Sequence, residues 1–253
     1  MRKYVWRGWR PAVVLLLLFI IWEIAVKIAD IPNWLLPAPS DIFTEIINGW
    51  QSFSSHFLST VELSFIGFII GSSIGLFTAI ILHLLPFIRE SIYPLIILSQ
   101  NIPIIVLAPL LVIWFGFGLL PKIIVITLVC FFPITVATLD GLKQTPSNLK
   151  HYMMIAGATK QQLFWKLELP YSLPSLFSGL KISATYSVMG AVISEWLGAK
   201  SGIGVYMTLA SSSFQTDRVF VAIFFIMALS LLYFTVILLI ERLLVKWNRK
   251  EDI

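Results

Sequence analysis

The chain has 253 residues, 58% of them apolar and 12% charged, with a net charge of +5 and a mean hydropathy of +0.91. A soluble domain carries about 25% charged residues, so too few polar side chains are present to cover a water-facing surface, and lipid must be the solvent for much of the chain. The basic residues cluster beside apolar runs rather than on one polar face, which fits topology signals and anionic lipid and excludes a nucleic-acid partner.

An all-α integral membrane protein with six spans is expected, because six helices of about 20 residues plus loops use nearly the whole chain. No length remains for a separate soluble domain, so 1–253 reads as one transmembrane domain. The first span, 11–29, follows four cations, Arg2, Lys3, Arg7 and Arg10. No small-residue cleavage site precedes Pro32, so the run reads as an uncleaved span and not as a signal peptide. The polar stretch 30–57 holds the turn Leu36-Pro37-Ala38-Pro39, and Ser40 is the expected N-cap of a short helix, 41–50.

The second span, 59–84, carries Gly67, Gly71 and Gly75 at a spacing of four. That spacing puts three small residues on one helix face, where another helix can approach closely. The third span, 91–115, is interrupted by Pro94, Pro103 and Pro109. Each proline removes a backbone donor, and the freed carbonyls need partners inside the bundle or along a cavity. Spans four to six are 121–138, 170–197 and 219–245, with a polar loop at 139–169 and a charged tail at 246–253. Cys130, the only cysteine, excludes an internal disulfide.

Orientation follows from Lys and Arg. With the N-terminus inside, thirteen of the 18 fall on inner segments: Arg2, Lys3, Arg7, Arg10, Arg89, Lys143, Lys150, Lys160, Lys166, Arg242, Lys246, Arg249 and Lys250. Lys122, Lys200 and Arg218 fall outside, and Lys27 and Lys181 lie in or near spans. Both termini and the 139–169 loop are therefore expected in the cytoplasm.

No catalytic set or metal-ligand cluster is visible. His56, His83 and His151 lie in separate loops or span ends, and the nearest approach to a P-loop, Ala199-Lys200-Ser201, lacks the glycine before lysine and has Ser194 where the first glycine belongs. Any ATP must then bind another chain. Among membrane-embedded ionisable groups, Glu23 and Lys27 have the spacing of a structural pair. Glu62, near the outer end of the second span, reads as an anchoring or packing residue, and Lys181 can snorkel. Glu195, beside Trp196, faces a substrate vestibule or sits at the interface. Ser99, Gln100, Asn101 and Ser187 are pathway candidates as polar groups near broken or central helix regions.

The 139–169 loop reads helix, glycine, helix. Ser147 is a candidate cap for a helix to Ala156. Gly157 permits the left-handed turn that ends it, and Thr159 caps a second helix to Leu169. Met153, Met154, Leu163, Phe164 and Trp165 must pack against either the chain's own bundle or a partner.

Gly157-Ala158-Thr159, Leu163-Phe164-Trp165, Leu169-Pro170, Leu173-Pro174-Ser175 and Gly179-Leu180-Lys181-Ile182 together resemble the cytoplasmic signature loop of ATP-binding-cassette importer permeases. The family pattern is Glu-Ala-Ala, three residues, Gly, then nine residues to Ile-x-Leu-Pro. Gly157 matches its glycine, and Leu167, Leu169 and Pro170 its end, with Leu167 for Ile. At the Glu-Ala-Ala positions stand His151, Tyr152 and Met153 instead.

The resemblance implies a type I importer bundle with coupling residues at His151, Ala156, Gly157, Ala158, Leu163, Phe164, Leu169 and Pro170. It also implies a homodimer in a bacterial inner membrane, an extracytoplasmic solute-binding protein, and two ATPase subunits that bind the ATP and magnesium, with no cofactor in this chain. Leu36-Pro37-Ala38-Pro39-Ser40, the segment from Ala184 through Glu195 to Ala199, and the segment from Ser211 to Asp217 resemble the nitrate, sulfonate and taurine branch, especially permeases for thiamine-precursor pyrimidines. An ion-driven secondary transporter is the alternative, but such proteins usually run longer with inverted repeats, and Glu62 and Glu195 both fall near the outer surface.

Overall fold

The computed structural model describes residues 2–245, with side chains from residue 9. The side chains of Arg2, Lys3 and Arg7 and the whole of Lys246, Arg249 and Lys250, named above as topology signals, lie outside that description. Every regular element in the described residues is helical. In chain order they are α1 (Arg2–Ile28), α2 (Pro39–Asn48), α3 (Trp50–Leu84), α4 (Pro86–Ser99), α5 (Ile104–Phe115) and α6 (Leu119–Lys143). After them come α7 (Ser147–Ile155), α8 (Lys160–Leu163), a π turn (Phe164–Glu168), α9 (Leu169–Glu195), α10 (Ile203–Ser212) and α11 (Thr216–Leu244).

Five helices are long and apolar enough to cross a membrane, and the α4–α5 pair makes a sixth span if counted as one. That pair bends by 101° at residues 100–103. The interruption expected in the third span therefore falls at one place, before Pro103. Pro103 has no amide hydrogen to continue the α4 ladder, and its ring drives Ile102 out of the helical region. Pro94 and Pro109 stay inside their helices. A 35-residue helix such as α3 is about 52 Å long, well beyond the roughly 30 Å hydrocarbon core, so its first turns extend outside the span expected at 59–84.

The core is a triple packing of α3, α6 and α9, with α6 in the middle. The expected glycine face makes the first half of it. A Cβ on Gly67 would come within 2.5 Å of Ile126 Cγ2, one on Gly71 within 2.7 Å of Cys130 Cβ, and one on Gly75 within 2.9 Å of the Phe131 carbonyl. Backbone contact of this kind replaces the hydrophobic drive that lipid cannot supply. Thr135 Oγ1 adds a bond to the Gly75 carbonyl at 3.1 Å. By contrast, α1 exposes most of its apolar side chains and touches α11 through Phe19–Phe224 and Trp22–Phe220 ring contacts. That exposure suits contact with acyl chains.

Three local expectations shift. The N-cap of α2 is Ala38, with Pro39 at its first position, and the Asp41 side chain accepts from the Ala38 amide. Ser40 instead donates its hydroxyl and its amide to Glu23 at 2.8 and 3.0 Å. Pro146, not Ser147, stands at the N-cap position of α7, with no side-chain cap bond. Finally, α10 lies where only a loop was expected. Ile203, Tyr206 and Ala210 share one face at helical spacing and are buried, the first two in a cluster with Phe53 and Ala222.

Candidate functional site

The loop expected to couple the chain to a partner forms one end of the bundle. α7 closes with Ala158 N–H on the Met153 carbonyl at 2.9 Å and Gly157 N–H on the Met154 carbonyl at 3.0 Å. Gly157 has φ +81, and a Cβ there would meet nothing within 4 Å. The glycine is required by backbone conformation and not by space. Thr159 then caps α8 reciprocally: its hydroxyl accepts from Gln162 N–H at 3.2 Å, and its amide donates to Gln162 Oε1 at 2.9 Å.

The second expected loop helix does not end at Leu169. It runs through the π turn into α9 without a break. Pro170 has no amide to donate to Lys166, and the ladder accommodates this by widening to the bond from Leu169 N–H to the Phe164 carbonyl.

The coupling candidates divide by exposure. His151, Ala156 and Gly157 are exposed, as are Tyr152 at 70% and Ile155 at 76%; Met154 and Trp165 are also exposed, and Ala158 half-buried. Together they leave an apolar, aromatic surface at the bundle end, with a shallow depression lined by Asn148, His151, Tyr152 and Ile155. Leu163, Leu169 and Pro170 are half-buried. Phe164 is a correction to the expected surface set: it is 5% exposed and turned inward, its ring 6.0 Å from that of His83.

A charged cluster that sequence reading missed lies beneath this surface. Glu168 is 7% exposed. Its Oε1 is 2.6 Å from Lys150 Nζ on α7, and its Oε2 is 2.8 Å from His83 Nε2 in the last turn of α3. The available signal was charge isolation: Glu168 is the only acidic residue between Asp140 and Glu195, in a loop that contains four lysines.

At the opposite end, Glu195 is 1% exposed and faces neither a vestibule nor an interface within the chain. Its Oε2 accepts from Gly204 N–H at 2.8 Å, and its Oε1 accepts from Thr60 Oγ1 at 2.7 Å. Thr60 Oγ1 in turn accepts from Ile203 N–H at 2.7 Å. The two side chains thus satisfy the free amides at the start of α10. Gly202, φ +128, has no room for a side chain because a Cβ would overlap the Glu195 carboxylate. His56 Nδ1 lies 3.0 Å from the Gly202 carbonyl.

The other pathway candidates are not brought to one surface. Ser187 is fully buried and bonds the Ala184 carbonyl. Ser99, Gln100 and Asn101 stand at the α4–α5 break, the latter two exposed, and Asn101 Nδ2 caps the Ile97 and Leu98 carbonyls at 3.3 Å. The expected Glu23–Lys27 pair forms at 2.5 Å. Lys181 does not snorkel to water; it pairs with Glu241 of α11 at 2.8 Å.

Comparison with known proteins matches residues 67–246 to the family described as binding-protein-dependent transport system inner membrane component. Similar proteins include the formylaminopyrimidine transport permease protein ThiX of Halalkalibacterium halodurans, 36% identical over 98% of this chain and 100% of that one. The riboflavin transport system permease protein RibX of Chloroflexus aurantiacus is 31% identical over 98% and 93%. A putative aliphatic sulfonates transport permease protein, SsuC of Bacillus subtilis, is 28% identical over 97% and 90%. These names include the branch expected from sequence and give no support to an ion-driven carrier. The matched segment begins on the glycine face of α3 and covers α6, the α7 loop and α9, so the chain belongs to the binding-protein-dependent inner membrane components, the multi-pass permease subunits of ATP-binding-cassette transporters.

Proposed function

We propose that the chain is the translocating subunit of an ATP-driven importer for a small polar solute, a formylated aminopyrimidine being the first candidate. The observation that carries this reading is the exposed surface of Tyr152, Met154, Ile155 and Trp165, on a loop inside the segment matched to the permease family. Apolar and aromatic groups on a basic loop suit a protein groove better than water. The lysines of that loop favour its cytoplasmic placement with both termini. One subunit supplies half a pathway, so two copies related by a two-fold axis assemble over two ATPases, which bind ATP and magnesium. A solute-binding protein docks at the opposite end, near α2 and α10.

ATP-driven closure of the ATPases would push the α7 loops and tilt the bundle between inward-open and outward-open states. The α4–α5 break offers Gln100 and Asn101 to the pathway. Glu195 and Ser187, closed inside the chain, act in packing. The candidate substrate rests on the similarity to the formylaminopyrimidine permease.

The test is uptake into proteoliposomes containing the chain, its ATPase and its binding protein. Uptake of a radiolabelled formylaminopyrimidine is expected to require ATP and to persist when ionophores collapse ion gradients. Uptake that follows an ion gradient without ATP would refute the reading. Transport of taurine in place of the pyrimidine would refute only the substrate.

A further inference from the structure

We propose that Glu168 is a positioning residue that fastens α7 to α3 and so transmits movement of the loop into the bundle; this rests on α7 being the ATPase-facing element. α7 has no buried residue, and nine residues are too few for a helix to persist by itself. Its ion pair into the bundle is the bond from Lys150 Nζ to Glu168 Oε1 at 2.6 Å. The other carboxylate oxygen holds His83 Nε2 at 2.8 Å, two residues before the α3 C-cap at Leu85 and on the helix whose glycine face packs along α6. One carboxylate therefore joins the exposed loop to the core through two charge-assisted contacts.

The surroundings keep this joint stiff. The side chains of Glu168, His83 and Lys150 are 10%, 13% and 25% exposed, so water competes poorly for the bonds. Phe164 packs beside the His83 ring. The π turn adds a residue to the helix at this point, which rotates Glu168 relative to an unbroken α-helix continuing from α8. His83 Nδ1 is buried without a partner, so Glu168 is the polar contact that holds the ring. The carboxylate that the family pattern puts at 151 is absent here, and α7 instead takes one from Glu168 across the loop.

The test uses the chain in nanodiscs with its ATPase, in a Cys130→Ser background. Spin labels go on Ser147 of α7 and Leu84 of α3, both exposed. Label distances are measured without nucleotide and after trapping with Mg-ATP and vanadate. With Glu168 intact, one narrow distance is expected in both states, because α7 and α3 move together. Glu168→Gln and Lys150→Met should each broaden or split the distribution while the ATPase still copurifies. Lys150→Arg, which keeps the cation and leaves the carboxylate between its two partners, should keep the narrow peak. An unchanged distribution in both single variants would overturn the proposal. So would loss of the ATPase or of folding in both, since the cluster would then only support the fold. If the unsubstituted chain holds no ATPase, the coupling reading fails, and the nucleotide-free distances still decide whether Glu168 fixes α7.

Discussion

Glu195 on α9 and Gly204 on α10 are joined by a 2.8 Å bond from the Gly204 amide to Oε2, across a turn in which Gly202 leaves space for the carboxylate. A buried carboxylate here acts as the cap of a neighbouring helix. Glu195→Ala is expected to lose about 1–3 kcal/mol by orphaning the Gly204 amide and removing the closer acceptor of the Thr60 hydroxyl, and Glu195→Gln less. Thermal melting in detergent checks this, with uptake falling in step with folded protein. Unchanged melting with abolished uptake would return Glu195 to the pathway.

Closeness of α3 and α6 depends on residues without side chains. Gly71→Leu is expected to cost at least about 1–3 kcal/mol, because a Cβ already falls 2.7 Å from Cys130 Cβ and 3.0 Å from the Thr127 carbonyl. Ser73→Leu, on an exposed position of the same helix, should be nearly neutral. Melting of the two variants side by side decides it, and equal losses would contradict the packing.

Much of this arrangement was legible in sequence because it is periodic or local. The Gly67, Gly71, Gly75 spacing reports a helix face, and Gly157 with Thr159 reports a turn and a cap within a few residues. The apolar runs report spans. What could not be read was long-range. Thr60 and Glu195 are 135 residues apart, and His83 and Glu168 are 85 apart. A carboxylate's partner across such distances is set by tertiary packing. The 101° bend was half legible: three prolines announced disruption, but the sequence does not say which one breaks the helix and which two stay inside.

Gly157 offers a cleaner discrimination than most loop residues, because φ is +81 and nothing crowds the position. Gly157→Asn should be tolerated, since Asn visits this region, whereas Gly157→Ala should cost about 1 kcal/mol and Gly157→Val more. The measurement is ATPase retention during purification, expected in the order Gly, Asn, Ala, Val. Equal retention by Val would mean that the loop turn is not needed for docking.

Lys181 and Glu241 tie α9 to α11 with 19% of each side chain exposed. Lys181→Met alone leaves a carboxylate without its cation and should cost toward the low end of the about 3–5 kcal/mol seen for broken buried pairs. Adding Glu241→Met should recover most of the loss. A double variant as unstable as the sum of the singles would show that the two charges are not coupled.

The most direct test of the coupling surface is copurification of the tagged chain with its co-expressed ATPase, before and after Ile155→Asp. Ile155 is 76% exposed, so the substitution leaves the fold and melting temperature unchanged while placing a charge in the docking face. The expected result is a stoichiometric ATPase with Ile155 and its loss with Asp. Full retention by the variant would place the ATPase elsewhere, and no ATPase with either chain would contradict the coupling role of this loop.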